Sequence, residues 1–268
     1  SDPVVRRADG SWLYMLPSVV DDIEMGITDI VRGEDHVTNS AVQLQMFAAL
    51  GATPPRLAHL ALLTGADAAL SKRIGSEGVD AWRERGIEPV AVAALLARLG
   101  TSRPVEPLPR LGDLLPGFAL SHFGRAPARF DPADLASLSA RCIHHMDHAD
   151  VAACLPAGIG EREWLAIRPN LTRLDDVAAW HQIIAGPISV AAEEPDYLAA
   201  AAATLADLPW GDDIWNRLVE ALKAATGRKG KALFLPLRLA LTGQAHGPEM
   251  AALLPLIGRD EALRRLTA

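Results

Sequence analysis

GITDIVRGEDHVTNSAVQLQMFAALGATPPRLAHLALLTG, residues 26–65, sets the architecture of the first part of the chain. Ile27, Ile30 and Val31 make a short apolar run that reads as a strand. Residues 38–50 carry helical spacing, with Thr38 or Asn39 as the capping residue and Gly51 just past the end. AHLALLTG, residues 58–65, reads as a second, buried strand. Strand, helix and strand in this order predict a βαβ unit of a parallel sheet, whose ligands bind beyond the carboxyl ends of the strands. ALSKRIGS, residues 69–76, follows such an end. Lys72 and Arg73 can bind an anion there, and Ser71, Gly75 and Ser76 let backbone N–H groups approach the same oxygens, so phosphate is the natural ligand.

Composition points away from β architecture. Half of the 268 residues are hydrophobic and only 5% are aromatic, a balance that favours packed helices over a sandwich or barrel. The chain is long enough for two small domains or one large one. A net charge of −7 argues against uniform attraction of nucleic acid but leaves local basic clusters free to dock RNA. Two cysteines, Cys142 and Cys154, are too few for a disulfide framework, and Pro236 and Arg238 interrupt the best apolar run, ALFLPLRLALTG. A soluble protein of a reducing cytoplasm is expected. From about residue 88 helical signals dominate. Pro89 stands in a first turn with Gly100 as stop, Asp131-Pro132 opens another helix, and Ile214, Leu218 and Leu222 share one face of residues 212–227. SRPVEPLPRLGDLLPG, residues 102–117, and TGRKGK, residues 226–231, read as connectors.

Three clusters invite chemical readings. In HHMDH, residues 144–148, His144 and His148 stand four apart on a helix and can share a metal. The glutamate of an HExxH motif is missing, however, and a solvated helix end is the preferred reading, with no protein-held metal. TGRKGKA has a glycine-lysine pair but no Walker loop, since Ala225 and Ala232 occupy positions that need glycine and Ser or Thr. It reads as a helix-to-helix turn whose Arg228, Lys229 and Lys231 can meet an RNA backbone. Asp21, Asp22, Glu24, Arg32, Glu34, Asp35 and His36 crowd the first strand; Arg32 can clamp a carboxylate bidentately and Tyr14 can add a hydroxyl hydrogen bond. Trp164, Trp180, Trp210 and Trp215 can stack on bases, although their helical placement favours core packing.

Tyr14, VVDD at 19–22, MGIT at 25–28, RGEDH at 32–36, TNSAVQ at 38–43, AHL at 58–60, LLTG at 62–65 and LSKR at 70–73 occur in an order that resembles bacterial glutamyl-tRNA synthetases of class I. GKALFLPLRLALTGQAHGPE, residues 230–249, is similar to the C-terminal segment of that family. The resemblance implies a mainly α protein: the C-terminal half of a Rossmann-type fold, a short parallel βαβ, then a helical stem-contact region and all-α anticodon-binding domains. The implied ranges are 1–66 for the incomplete catalytic half, 67–148 for the stem-contact region, and 149–195 and 196–268 for two anticodon-binding modules.

The resemblance also implies the chemistry, in which L-glutamate attacks the α-phosphate of ATP, pyrophosphate leaves, and the acyl group passes to the 3′ end of tRNA(Glu). Lys72 then stabilises charge at phosphorus with Ser71 and Arg73 beside it, Leu62 and Leu63 meet the adenine through their backbone, and Asp35 and His36 lie near the nucleotide. Tyr14 and Arg32 bind the substrate glutamate, and Mg²⁺ comes with ATP. Two departures stand out. Ala69 occupies the place of the usual first lysine, and no tetrapeptide of the HIGH type occurs, since neither AHLA at 58–61 nor HHMD at 144–147 has the second histidine. The expectation is a monomeric, N-terminally truncated piece without ligase activity of its own. The alternatives are a tRNA-binding module without ligase activity, and a synthetase that also charges tRNA(Gln).

Overall fold

In a computed structural model of the chain, residues 3–65, 78–188 and 194–268 are described. ALSKRIGS, and with it Lys72, Ser71 and Arg73, lies outside the described residues.

Helix α1, Met15–Glu24, is followed by strand β1, Asp29–Gly33, helix α2, Val37–Ala49, and strand β2, Arg56–Leu60. Pro17 stands in the first turn of α1, where a proline removes no intrahelical hydrogen bond. Strands β1 and β2 pair in parallel with Asp29 opposite Arg56 and Gly33 opposite Leu60, so the expected βαβ unit is present. Leu16, Val19 and Ile23 fall on one face of α1, and Val19 is buried against Met46 and Phe47 of α2.

Three local expectations need correction. Helix α2 is not capped by Thr38 or Asn39: a 3-10 turn over Glu34–His36 leads into it, His36 takes the cap position, and no side chain caps it. Asn39 is instead drawn to longer-range partners. AHLALLTG is not one strand, because pairing with β1 stops at Leu60 and strand β3, Leu63–Thr64, pairs in parallel with β4, Ala128–Arg129, in a separate sheet. Nor is it fully buried: its residues are half-buried apart from Leu62, which is exposed.

The remaining helices, in chain order, are α3 Val79–Glu84, α4 Pro89–Leu96, α5 Pro132–His145, α6 His148–Val151, α7 Glu161–Ile167, α8 Val177–Ala185, α9 Pro195–Asp207, α10 Ile214–Thr226, α11 Lys231–Thr242, α12 Met250–Ile257 and α13 Arg259–Leu266. The described residues divide into two units, one drawn from Ser1–Asp80, Ala93–Glu106 and Gly112–Asp134, the other from Ala81–Val92, Pro107–Leu111 and Leu135–Ala268.

The second unit is a helical assembly whose periodicity was open to reading. Ile214, Leu218 and Leu222 of α10 are fully buried, and Gly227 ends the helix with φ +67°, a conformation open to glycine without the Cβ clash. Leu198 and Leu205 of α9, Leu233 and Leu237 of α11 and Leu253 of α12 complete the same core. Pro236 sits inside α11 and cannot donate to the carbonyl of Ala232 four residues back. Arg228 Nη1 donates to that carbonyl at 3.2 Å instead.

The HHMDH segment is not one helix, and its end is solvated only in part: His145 and Asp147 are exposed, whereas His144 and His148 are half-buried. Helix α5 stops at His145, and Asp147 starts α6 through a capping box with Asp150. Nε2 of His144 contacts the Leu171 carbonyl at 2.8 Å and Nε2 of His148 contacts the Ile159 carbonyl at 3.1 Å. Both imidazoles therefore pin neighbouring loops.

Candidate functional site

In the first unit, the sequence-predicted residues Tyr14, Arg32, Asp35, His36, Leu62 and Leu63 gather around the βαβ element. Tyr14 immediately precedes α1, Arg32 stands next to the last residue of β1, Asp35 and His36 belong to the turn into α2, and Leu62 and Leu63 follow β2. Asn39 Nδ2 donates to the Tyr14 hydroxyl at 2.6 Å and lies 3.1 Å from His36 Nδ1. His36 Nε2 in turn is 3.7 Å from Asp35. Gly33 is the pivot of this turn: a Cβ there would stand 2.4 Å from Asp35 Oδ1 and 3.0 Å from Leu62 Cδ2, so any side chain would push both away.

Arg32 is held from α2. Its Nη1 donates to Gln43 Oε1 at 2.7 Å and its Nη2 to Ser40 Oγ at 2.5 Å, while Nε is buried without a hydrogen-bond partner among the described residues. The buried face of α2 is consequently split. Met46 and Phe47 pack on α1, whereas Ser40 and Gln43, 3% and 6% exposed, face the arginine. Polar residues this deeply buried on a helix face are uncommon and need partners. Ser40 Oγ also contacts the His36 carbonyl at 3.1 Å and His59 Nε2 at 2.7 Å. The sequence reading named Asn39 only as a possible cap and gave no site role to Ser40, Gln43, Asn39 or His59; the one available signal was a run of small polar residues on the inward face of an otherwise apolar helix.

The second unit holds another arrangement that sequence reasoning missed. A cavity of about 580 Å³ is lined by Trp215, Asn216, Lys231, Phe234, Arg238 and His246. Arg238 Nη2 donates to the carbonyls of Gly247, at 3.1 Å, and Pro248, whereas Nη1 is buried without a hydrogen-bond partner among the described residues. Burial pushes the Arg238 pKa down from its ordinary value. Trp215 and Phe234 stand 6.2 Å apart in a tilted pair, and Phe234 is 40% exposed. A buried guanidinium with a donor to spare, beside an accessible aromatic face, suits a flat ligand with acceptor edges such as a nucleobase.

Of the three cations predicted to meet RNA, Lys229 and Lys231 are exposed. Arg228 has internal partners: Glu194 at 2.5 Å, the Ala232 carbonyl, and the Tyr197 ring 4.0 Å below the guanidinium. Among the tryptophans, Trp164 is fully buried with its Nε1 donating to Met146 O at 2.9 Å, and Trp215 is 8% exposed. Trp180 and Trp210 are half-buried. Among the described residues no three His, Cys, Asp or Glu side chains converge as a metal site, and no helix is long and apolar enough to cross a membrane.

Residues 1–107 match the family model of tRNA synthetases class I (E and Q), catalytic domain, and residues 166–268 match that of an anticodon binding domain. The whole chain is 62% identical to a glutamate–tRNA ligase of Rhizorhabdus wittichii and 59% identical to one of Novosphingobium aromaticivorans. In both cases it spans 61% of the relative's length. A crystal structure of a glutamate tRNA ligase from Elizabethkingia meningosepticum, solved in complex with its amino acid, superimposes with a TM-score of 0.75 at 22% identity, covering 99% of this chain and 61% of that one.

Proposed function

We propose that this chain, which belongs to the class I glutamyl-tRNA synthetase family, supplies the second half of a glutamate-activating site together with the anticodon-binding region of a glutamate–tRNA ligase. The observation that carries the reading is the convergence of Tyr14, Arg32, Asp35 and His36 on one short βαβ element, with the Arg32 guanidinium held, among the described residues, by neutral groups only. An arginine kept in this way is available to a carboxylate from outside.

In the proposed reaction a carboxylate oxygen of L-glutamate attacks the α-phosphorus of ATP, the bond to the β-phosphate breaks, and pyrophosphate leaves. The 3′-terminal hydroxyl of tRNA then attacks the acyl carbon and AMP departs. Arg32 and Tyr14 orient the amino acid, Asp35 and His36 approach the nucleotide, and the backbone at Leu62 and Leu63 meets the adenine. Lys72, with Ser71 and Arg73, stabilises the charge that develops on the phosphoryl oxygens. Mg²⁺ enters with ATP as its phosphate-bound counter-ion. We assign residues 1–66 to the catalytic half, 67–148 to stem contact, and 149–195 and 196–268 to the anticodon arm.

In the second unit, the Arg238 cavity is assigned to a base of the tRNA, with Lys229 and Lys231 on its backbone. The anticodon-domain match over 166–268 supports this placement. It also favours a second reading in which these residues bind tRNA without activating glutamate. Glutamate-dependent exchange of pyrophosphate into ATP separates the two. The 268 residues contain no HIGH-type tetrapeptide and alone should give no exchange; robust exchange would overturn that expectation. Joined to a segment that carries the tetrapeptide, they should give exchange under the ligase reading and none under the module reading. Charging tRNA(Glu) and tRNA(Gln) side by side decides whether the ligase discriminates between them.

A further inference from the structure

The geometry points to Gln43 as a positioning residue for Arg32: a neutral clamp on α2 that fixes the guanidinium for a carboxylate while leaving its charge unspent. This rests on the reading of Arg32 as the ligand of the substrate's carboxylate.

Hydrogen-bond polarity around Gln43 runs one way. A guanidinium has only donors, so the Gln43 carboxamide must turn its oxygen to Arg32 Nη1. Its nitrogen then donates to Ser18 Oγ at 2.9 Å, and Ser18 donates to the Met15 carbonyl at 3.1 Å. The chain from Arg32 through Gln43 to α1 has no ambiguity of direction. Ser40, three residues earlier on α2, receives Arg32 Nη2. One helix thereby grips both terminal nitrogens, and through Asn39 it also holds the Tyr14 hydroxyl. Asn39 and Gln43 are four apart, so the two groups assigned to the amino acid are registered by one helix face.

The neutrality of the clamp is its second property. Among the described residues Arg32 joins no ion pair, in contrast to Arg56, Arg110 and Arg265. A carboxylate at position 43 would satisfy the same nitrogen but cancel the charge that draws the substrate. Glutamine gives the geometry without the cancellation.

The test follows the Arg32 Nε–Hε signal by nitrogen-15 NMR in the full 268-residue chain, with the Arg265 signal as internal control and circular dichroism to verify folding. Gln43→Leu and Ser40→Ala should each speed exchange of the Arg32 proton by about tenfold, the loss of one charge-assisted bond, while leaving Arg265 unchanged. Gln43→Glu should keep the Arg32 signal narrow. Titration with L-glutamate should shift the Arg32 signal of the wild type and fail to shift that of Gln43→Glu. An Arg32 signal as slow to exchange in Gln43→Leu as in the wild type, or one already broad in the wild type, overturns the proposal. If the clamp variants behave as stated but L-glutamate moves no Arg32 signal even in the wild type, the clamp stands and the substrate reading of the site falls.

Discussion

Arg32 and Arg265 are both held by hydrogen bonds from within the fold, yet they are held by opposite chemistry. Arg265, in the second unit, is 3% exposed and fully engaged: Nε donates to Glu261 at 2.6 Å, Nη1 to the Leu241 carbonyl at 2.5 Å and Nη2 to the Ile183 carbonyl at 2.7 Å. Arg32, in the first unit, has two neutral side-chain partners and a buried Nε without one among the described residues. Among the described residues one guanidinium has its counter-charge inside the fold, and the other has none. A buried charge with an internal partner belongs to stability, whereas one held only by neutral groups marks a place where a ligand completes the balance.

Substitutions should pull these two roles apart. Arg265→Ala leaves the Leu241 and Ile183 carbonyls without their donor and Glu261 with Arg264 as its remaining partner, and should lower unfolding free energy by about 3–5 kcal/mol in denaturant titration. A loss below about 1 kcal/mol would remove the contrast. Acid should act through the same pair. Hydrogen bonds from Arg264 and Arg265 hold the Glu261 carboxyl at about 2, below its ordinary 4.5. A depressed carboxylate contributes stability above its unfolded pKa, so this contribution, about 2 kcal/mol after the screening that the exposed Arg264 side of the pair brings, should be present at neutral pH. It should be lost as pH falls from about 4.5 toward 2, and Glu261→Gln should flatten that part of the pH–stability curve.

Arg228→Ala should cost about 1–2 kcal/mol, because the carbonyl freed by Pro236 loses its donor together with the Glu194 pair. Arg32→Met should cost about 1 kcal/mol, since the loss of the orphaned Nε only partly offsets the Gln43 oxygen left without its donor, while abolishing the response to L-glutamate expected in the NMR titration. Least of all, Lys229→Ala with Lys231→Ala should leave stability within about 0.5 kcal/mol. The same pair should reduce the salt dependence of tRNA binding by roughly one charge each in a filter or anisotropy titration.

How much of this was legible depended on whether a residue's role was local. The βαβ unit follows from apolar spacing and Gly51, and α10 from Ile214, Leu218 and Leu222, because periodicity is a property of neighbours in sequence. The α2 cap misled because Asn39 spends its amide on Tyr14, 25 residues away. The split of HHMDH had a local sign, Asp147 and Asp150 at capping-box spacing, which the pair of histidines overshadowed. The resemblance supplied Tyr14 and Arg32 but not their supports. Gln43 and Ser40 look like ordinary polar helix residues until folding turns them inward. The cavity at Arg238 was illegible for the same reason, since Trp215, Phe234 and His246 come from separate stretches of chain.

The bonds of Arg265 also impose an order in time. Its partners Leu241 and Ile183 precede it by 24 and 82 residues. During synthesis, the carboxyl ends of α8 and α11 are made long before the donor that closes them. Until residue 265 has been added, those carbonyls must stay with water, and the helices they terminate lack their shared fastening. The second unit can gather its core as it is made, but it locks from the downstream side.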